Sequence, residues 1–319
     1  MAAASFLAGD WGTSHLRLVL CDAAGDTLES VTGPGAAAAS GRFAEIFSEL
    51  TAPWRRQYGR LPAVLCGMVG SNFGWQQAPY VHCPAQLEQI AAGCVSPPGE
   101  AVHIVPGLAC SNRHAAPDFL RGEETQILGA LQLEADLRRG RQLLCLPGTH
   151  TKWVILEQGA VTEFITAPTG ELFAVLSGHS VLVRKPAHGE PTLAHAAGDA
   201  FELGLSQFNA FPQAPLLHRL FECRSRMLAG ELSAESTGAF LSGLLIASDI
   251  GGALPLLAQG AGDARVCLIG TPQLTTLYAR GLAQRQCEAQ QLDGARAARA
   301  GLTQVYQQLT AGARRRATL

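Results

Sequence analysis

Two stretches of this chain, starting near residues 6 and 142, share one pattern: three strand-like runs joined by two tight turns, then helices and a further strand. In the first, Phe6 to Trp11, Leu16 to Asp22 and Thr27 to Thr32 are separated by Gly12-Thr13-Ser14 and Ala24-Gly25-Asp26. In the second, Gln142 to Leu146, Lys152 to Leu156 and Ala160 to Thr166 are separated by Pro147-Gly148-Thr149-His150 and Gln158-Gly159. Tight Gly-containing turns between apolar runs of this length are hairpin signals. Few letters match between the halves, so the repeat is one of pattern. It predicts two α/β domains, residues 1–140 and 141–319, with the last helix free to pack back on the first. It also predicts a central cleft, where ligands usually bind.

The intervening segments fit that plan. Phe43, Ile46, Phe47, Leu50 and Trp54 form one apolar stripe, which predicts a helix over about 43–58. Ala63 to Met68 and Val102 to Val105 read as buried strands, and about Glu123 to Leu137 as a helix. In the second half, helical segments are expected near 170–176, 197–208, 215–221 and 236–254. A strand follows at 265–269, with helices from about 274 and 294. Of the 319 residues, 47% are hydrophobic and 16% charged, which allows a sizeable core and argues against disorder. The formal net charge of −2 gives no electrostatic case for nucleic acid or a membrane surface. No uninterrupted apolar stretch reaches the ~18 residues of a membrane span. The start, Met1-Ala-Ala-Ala-Ser-Phe, lacks a charged leader region, so a cytoplasmic protein is expected. The nine cysteines form no C-x-x-C pair, and reduced, buried thiols fit best.

Chemistry-bearing residues gather at the turns. Asp10-Trp11-Gly12-Thr13-Ser14 sits at a strand end, with Arg17 on the next strand. Such a turn can aim amides and hydroxyls at a phosphate, and Asp10 can hold Mg²⁺. Pro147-Gly148-Thr149-His150-Thr151-Lys152 repeats the offer with a Gly, hydroxyls and a cation. Together the two predict a grip on nucleotide phosphates by Gly12, Thr13, Ser14, Gly148, Thr149 and Lys152. Gly270-Thr271-Pro272 follows a strand and opens a helix, Pro being favourable at a first helical position; this turn is expected at the adenine end. Arg121-Gly122-Glu123-Glu124-Thr125-Gln126 opens a helix between the two hairpins. There acidic residues oppose the helix macrodipole, or one of them serves as a general base beside Arg121 and an anionic substrate group. Asp10, Glu123 and Glu124 are the candidate catalytic carboxylates. On the segment Gly67 to Trp75, Ser71 and Asn72 can read hydroxyls and Trp75 can wall a sugar.

In this order, the motifs resemble those of the superfamily of sugar kinases, actin and the heat-shock ATPases, with its two RNase H-like domains. More closely, the chain resembles the 2-dehydro-3-deoxygalactonokinase family. The resemblance is carried by Gly67-Met-Val-Gly-Ser-Asn-Phe-Gly-Trp75, Arg121-Gly-Glu-Glu-Thr-Gln126, Pro147-Gly-Thr-His-Thr-Lys-Trp153, Thr169-Gly-Glu-Leu172 and Phe240-Leu-Ser-Gly-Leu-Leu-Ile246. It implies phosphorylation of 2-dehydro-3-deoxy-D-galactonate at its terminal hydroxyl with MgATP, in galactonate breakdown. The partners implied are the sugar acid and ATP; a homodimer stays open. In glycerol-kinase-like relatives the catalytic carboxylate follows a Gly at the head of the connecting helix, which favours Glu123 over Glu124. Two departures stand out: Pro147 lies where the second hairpin often begins with Asp, and Gly270-Thr271 lies where the adenosine turn often has two glycines. Alternatives are a kinase of another sugar or sugar acid, a sugar-sensing relative without catalysis, and the ribokinase type. Ala196-Ala197-Gly198-Asp199 and Gly260-Ala261-Gly262-Asp263 imitate the ribokinase loop. The order of the first strands separates that fold from the actin-like one.

Overall fold

A computed structural model describes residues 3–183, 198–257 and 265–317. The segment 260–263 and residues 196–197 of the two ribokinase-like motifs lie outside the described residues. The chain sorts into two compact units. The first comprises Met1–Gly140, Leu156–Glu163 and Gly294–Leu319; the second comprises Arg141–Ile155 and Phe164–Asp293.

The first unit holds strands β1 (Ala4–Trp11), β2 (His15–Asp22), β3 (Thr27–Pro34), β4 (Ala63–Gly67), β5 (Tyr80–His82), β6 (Val102–Ile104), β7 (Gly107–Ser111) and β8 (Pro117–Leu120). Its main sheet runs β3-β2-β1-β4-β6. The pairs β1–β2 and β2–β3 are antiparallel, whereas β1–β4 and β4–β6 are parallel. This opening meander is the actin-like arrangement, and it sets the ribokinase type aside. Strand burial follows position. All five residues of β4 are buried, which is why it reads as an unbroken apolar run. The edge strand β3 is mostly exposed or half-buried and more polar. Trp11, Leu16, Leu18, Phe43, Phe47 and Leu65 anchor the core beneath this sheet.

The helix Gly294–Ala317 packs on the helix Glu123–Leu133 within this unit. The crossing is closest at two glycines: a Cβ at Gly129 would collide with the Ala297 carbonyl, and one at Gly301 with that of Thr125. Tyr306 stacks on Phe6 of β1, ring centroids 4.2 Å apart. The C-terminal helix thereby fixes the helix whose head carries Gly122, Glu123 and Glu124.

The second sheet uses strands β9 (Arg141–Leu146), β10 (Thr151–Glu157), β11 (Ala160–Ala167), β12 (Val266–Gly270) and β13 (Ala289–Asp293) in the order β11-β10-β9-β12-β13. In both sheets the order is third, second, first, fourth, fifth, so the repeat of pattern is a repeat of topology. β12 runs parallel to both β9 and β13. Helices Thr169–His179, Asp199–Ala210, Thr237–Leu257 and Pro272–Ala283 belong to this unit. The stretch 234–255 is long and apolar enough to cross a membrane by length and composition, and 61% of its most apolar 18-residue window is buried inside the protein. Phe240, Leu241, Leu244, Leu245 and Ile246 fill the core of the second unit.

The three-stranded sheet β5-β7-β8, the short helix Leu87–Ala92 and β13 had no counterpart in the sequence reading. Strands of three to five residues are too short to show a period, and β8 begins with a proline.

Candidate active site

In the first unit, Asp10 lies near the C-terminal end of β1, opposite Arg17 of β2 and Cys66 of β4. Burial pushes its carboxyl above the ordinary value, while Arg17 and the Cys66 thiol pull it back. The turn after it is held by backbone bonds. Gly12 N–H donates to the His15 carbonyl at 2.9 Å, and the Gly12 and Thr13 carbonyls accept from Ala36 and Ala37 at 2.9 and 3.1 Å. Thr13 and Ser14 are exposed.

One residue beyond Cys66, Gly67 adopts φ +88. A side chain there would be strained, and its Cβ would lie 2.8 Å from the Trp11 carbonyl and 3.4 Å from Asp10 Oδ1. Gly122, at φ +105, abuts Gly67: a Cβ on it would lie 3.5 Å from Gly67 Cα. Thr125 donates to the Gly122 carbonyl at 2.7 Å, with its Oγ1 3.4 Å from Cys66 Sγ. The fold thus brings Asp10 and the Gly122-Glu123-Glu124 helix head to the C-terminal ends of two adjacent parallel strands, where open α/β sheets bind ligands.

The two glutamates differ sharply. Glu123 is half-buried, and its Oε2 accepts the Arg121 N–H at 3.0 Å. Glu124 is 0% exposed, with Oε2 accepting the Gly122 N–H at 2.6 Å and Oε1 buried without a partner. Burial, and then the charge of Glu123, push its carboxyl up to about 8. Glu124 is therefore mainly neutral at pH 7.

Arg121 is held by its neighbours. Nη2 donates to the Ala78 carbonyl at 2.9 Å, and the guanidinium lies 4.4 Å from the centroid of the Tyr80 ring, a cation–π contact. Nε and Nη1 are buried without a protein acceptor. The 68–75 segment comes close: a Cβ on Gly70 would lie 2.8 Å from Arg121 Nη1. On that segment Ser71 is buried with an unpartnered Oγ, and Asn72 is exposed. Trp75 packs on Phe47, centroids 5.5 Å apart, against the core of the unit. The large exposed aromatic of this loop is Phe73, at 53%; the sequence reading passed over it.

In the second unit, Pro147-Gly148-Thr149-His150 forms the turn at the equivalent end of β9. The Thr149 carbonyl accepts the Glu171 N–H at 2.9 Å, and His150 Nε2 is 2.7 Å from Glu171 Oε2. Gly270, at the end of β12, is adjacent: its added Cβ would lie 3.4 Å from the Pro147 carbonyl. Thr271 is the N-cap residue of the helix Pro272–Ala283, with Pro272 in its first turn. The structure thus brings Gly148, Thr149, Gly270 and Thr271 to one edge. Lys152 is buried at 6% exposure, and its Nζ donates to Thr166 Oγ1 on β11 at 2.9 Å. Sequence reasoning missed Asp249, a carboxylate in an otherwise apolar helix that accepts from Trp153, Thr169 and Tyr278. Its only signal was that isolation.

Two units of the same sheet order, each with a Gly-Thr turn at the C-terminal edge of its first strand, define the two-domain actin-like ATPase class to which sugar kinases belong. The activator of 2-hydroxyisocaproyl-CoA dehydratase from Clostridium difficile shares the fold at TM-score 0.53 and 11% identity, over 97% of each chain. The family model for 2-keto-3-deoxy-galactonokinase matches residues 10–305. The chain is 37% identical to the Rhizobium meliloti protein named probable 2-dehydro-3-deoxygalactonokinase DgoK1, over 93% of this chain and 95% of that one. It is 34% identical to the 2-dehydro-3-deoxygalactonokinase of Escherichia coli, over 95% and 97%. A Sinorhizobium meliloti crystal structure named for the same enzyme superposes at TM-score 0.83 with 36% identity, covering 95% and 98%. This chain belongs to the 2-dehydro-3-deoxygalactonokinase family of sugar-acid kinases.

Proposed function

We propose that the protein transfers the γ-phosphoryl group of ATP to the terminal hydroxyl of 2-dehydro-3-deoxy-D-galactonate, giving the 6-phosphate and ADP in galactonate catabolism. The observation that carries the site assignment is the convergence of Asp10 and the Gly122-Glu123 helix head at the ends of β1 and β4.

Glu123 takes the hydroxyl proton as oxygen O6 attacks phosphorus and the bond to the ADP leaving oxygen breaks. Of the two glutamates it is the one left partly open to solvent. Glu124 is fully buried, with its carboxyl pushed up by that burial, and is the less accessible of the two. Arg121 binds the substrate carboxylate. Its guanidinium is held in place by Tyr80 and Ala78 with N–H groups left over, and a charge-assisted bond of this kind is worth about 1.5–3 kcal/mol. Ser71 and Asn72 read hydroxyls. Trp75 is tied to Phe47 and serves the site by shaping the loop. In the first unit Gly12, Thr13 and Ser14, and in the second unit Gly148 and Thr149, each offer amides and hydroxyls suited to phosphate. Gly270 and Thr271 meet the adenosine end. Lys152 supports β10 through Thr166. Asp10 suits Mg²⁺, since a carboxylate next to exposed hydroxyls is a hard-oxygen donor set. The ion, when bound, neutralises phosphate charge; with so little covalent chemistry for the protein to do, positioning and charge dominate phosphoryl transfer.

The test is turnover of ATP with a panel of 2-keto-3-deoxy sugar acids that differ at one hydroxyl. The galacto epimer is expected to give the highest kcat/KM; preference for another epimer would overturn the substrate assignment.

A further inference from the structure

Asp249 lies in the helix Thr237–Leu257 of the second unit. Trp153 Nε1 donates to its Oδ1 at 2.7 Å, Thr169 Oγ1 to its Oδ2 at 2.7 Å, and Tyr278 OH to its Oδ2 at 2.6 Å. Thr151 Oγ1 is 2.8 Å from the Tyr278 hydroxyl. Because Tyr278 gives its proton to Asp249, its oxygen is left to accept from Thr151. The carboxylate, an acceptor only when ionised, therefore sets the direction of the whole chain from Thr151 through Tyr278. Its partners are buried, Thr151 and Tyr278 at 0% exposure. Burial pushes the Asp249 carboxyl up, and the surrounding donors, Tyr278 first, pull it back.

The three elements joined here are those that bear the second half-site. Thr151 directly follows the 147–150 turn. Thr169 opens the helix whose Glu171 N–H caps the Thr149 carbonyl. Tyr278 lies on the helix that begins after Gly270-Thr271. Packing alone would be met by an apolar residue, which avoids the several kcal/mol cost of burying a charge; a carboxylate adds fixed orientation. We propose that Asp249 is a positioning residue for nucleotide: it locks the phosphate turn and the adenosine helix into one geometry. This rests on the reading that the 147–150 turn and Gly270-Thr271 bind ATP.

The experiment is steady-state kinetics of Asp249→Asn, Tyr278→Phe, Thr169→Val and Gly148→Val in the full chain, with both substrates varied and thermal unfolding measured alongside. Asparagine replaces one acceptor oxygen with a donor, and is expected to raise the KM for ATP about tenfold while the sugar-acid KM stays within about twofold. Tyr278→Phe and Thr169→Val each remove one donor and are expected to give smaller rises in the same parameter. An unchanged KM for ATP in these three, with a raised one in Gly148→Val, overturns the proposal and leaves the nucleotide assignment standing. A lower unfolding temperature with both KM values moving equally also overturns it, since that is what a merely structural role gives. An unchanged KM for ATP in Gly148→Val overturns the nucleotide assignment and the proposal with it. Should Asp249→Asn fail to fold, Tyr278→Phe and Thr169→Val decide by the same split.

Discussion

The C-terminal edges of β1/β4 and of β9/β12 are topological equivalents, built from the same strand order, yet they are stocked differently. At the first, Asp10 ends the strand, Gly67 and Gly122 open space around it, and Glu123, Glu124 and Arg121 crowd in. At the second, Pro147 follows the strand and the turn offers amides and hydroxyls; Glu171 is paired with His150 of the turn, and Asp249 accepts from Trp153, Thr169 and Tyr278 in a hydrogen-bonded hub. One strand order used twice supplies two Gly-Thr turns at equivalent edges, and the residues on them divide the work. On the proposed reading, the first edge supplies the groups for the acceptor, the metal and the proton together with one phosphate turn, and the second supplies the other phosphate turn and the adenosine turn.

The largest effect that could break this comparison is on chemistry. Glu123→Gln should lower kcat by roughly 10²–10⁴-fold with both KM values near normal, the range for loss of a general base, while Glu124→Gln should change kcat little. Steady-state kinetics of the two variants decide it, and the reverse result would move the base to Glu124.

Next is a pH effect on stability. The Glu124 carboxyl is raised from an ordinary 4.5 to about 8 in the folded protein, so between those values the folded state holds more protons than the unfolded one. Stability therefore falls as pH rises through that window and levels off above it. Glu124→Gln removes this loss. Its stability advantage over the wild type should grow with pH by on the order of 2–4 kcal/mol, read from denaturant unfolding at several pH values. A flat difference would mean that Glu124 is ionised in the fold, and the ground for choosing Glu123 would go.

Arg121→Ala should raise the sugar-acid KM by about 10–100-fold, the equivalent of one charge-assisted bond, with the KM for ATP unmoved. Normal sugar-acid affinity would remove Arg121 as the carboxylate clamp. The smallest effect is expected at the other edge. Gly270→Val, crowding the Pro147 carbonyl, should raise the KM for ATP several-fold, to about tenfold, and leave the sugar-acid KM alone; equal changes in both would erase the division between the edges.

What the sequence determined by itself is the doubled meander, the turns and the heads of the helices. Gly12-Thr13, Gly148-Thr149 and Gly270-Thr271-Pro272 announce themselves because turn and cap chemistry is local, written in the residues that make it. The helix Phe43–Tyr58 was legible because a stripe of five apolar residues, Phe43 to Trp54, repeats over about three turns. Tertiary structure alone decided the rest. Glu123 and Glu124 are neighbours in sequence and alike in chemistry; only their surroundings make one half-exposed and the other a buried acid with its carboxyl near 8. Lys152 can serve phosphate or structure on its sequence alone, and it is β11 that brings Thr166 to its Nζ. Asp249 showed no motif, since its partners lie 96, 80 and 29 residues away along the chain. Desolvation and long-range hydrogen bonding depend on what the folded chain places around a group, and a local sequence window does not hold that information.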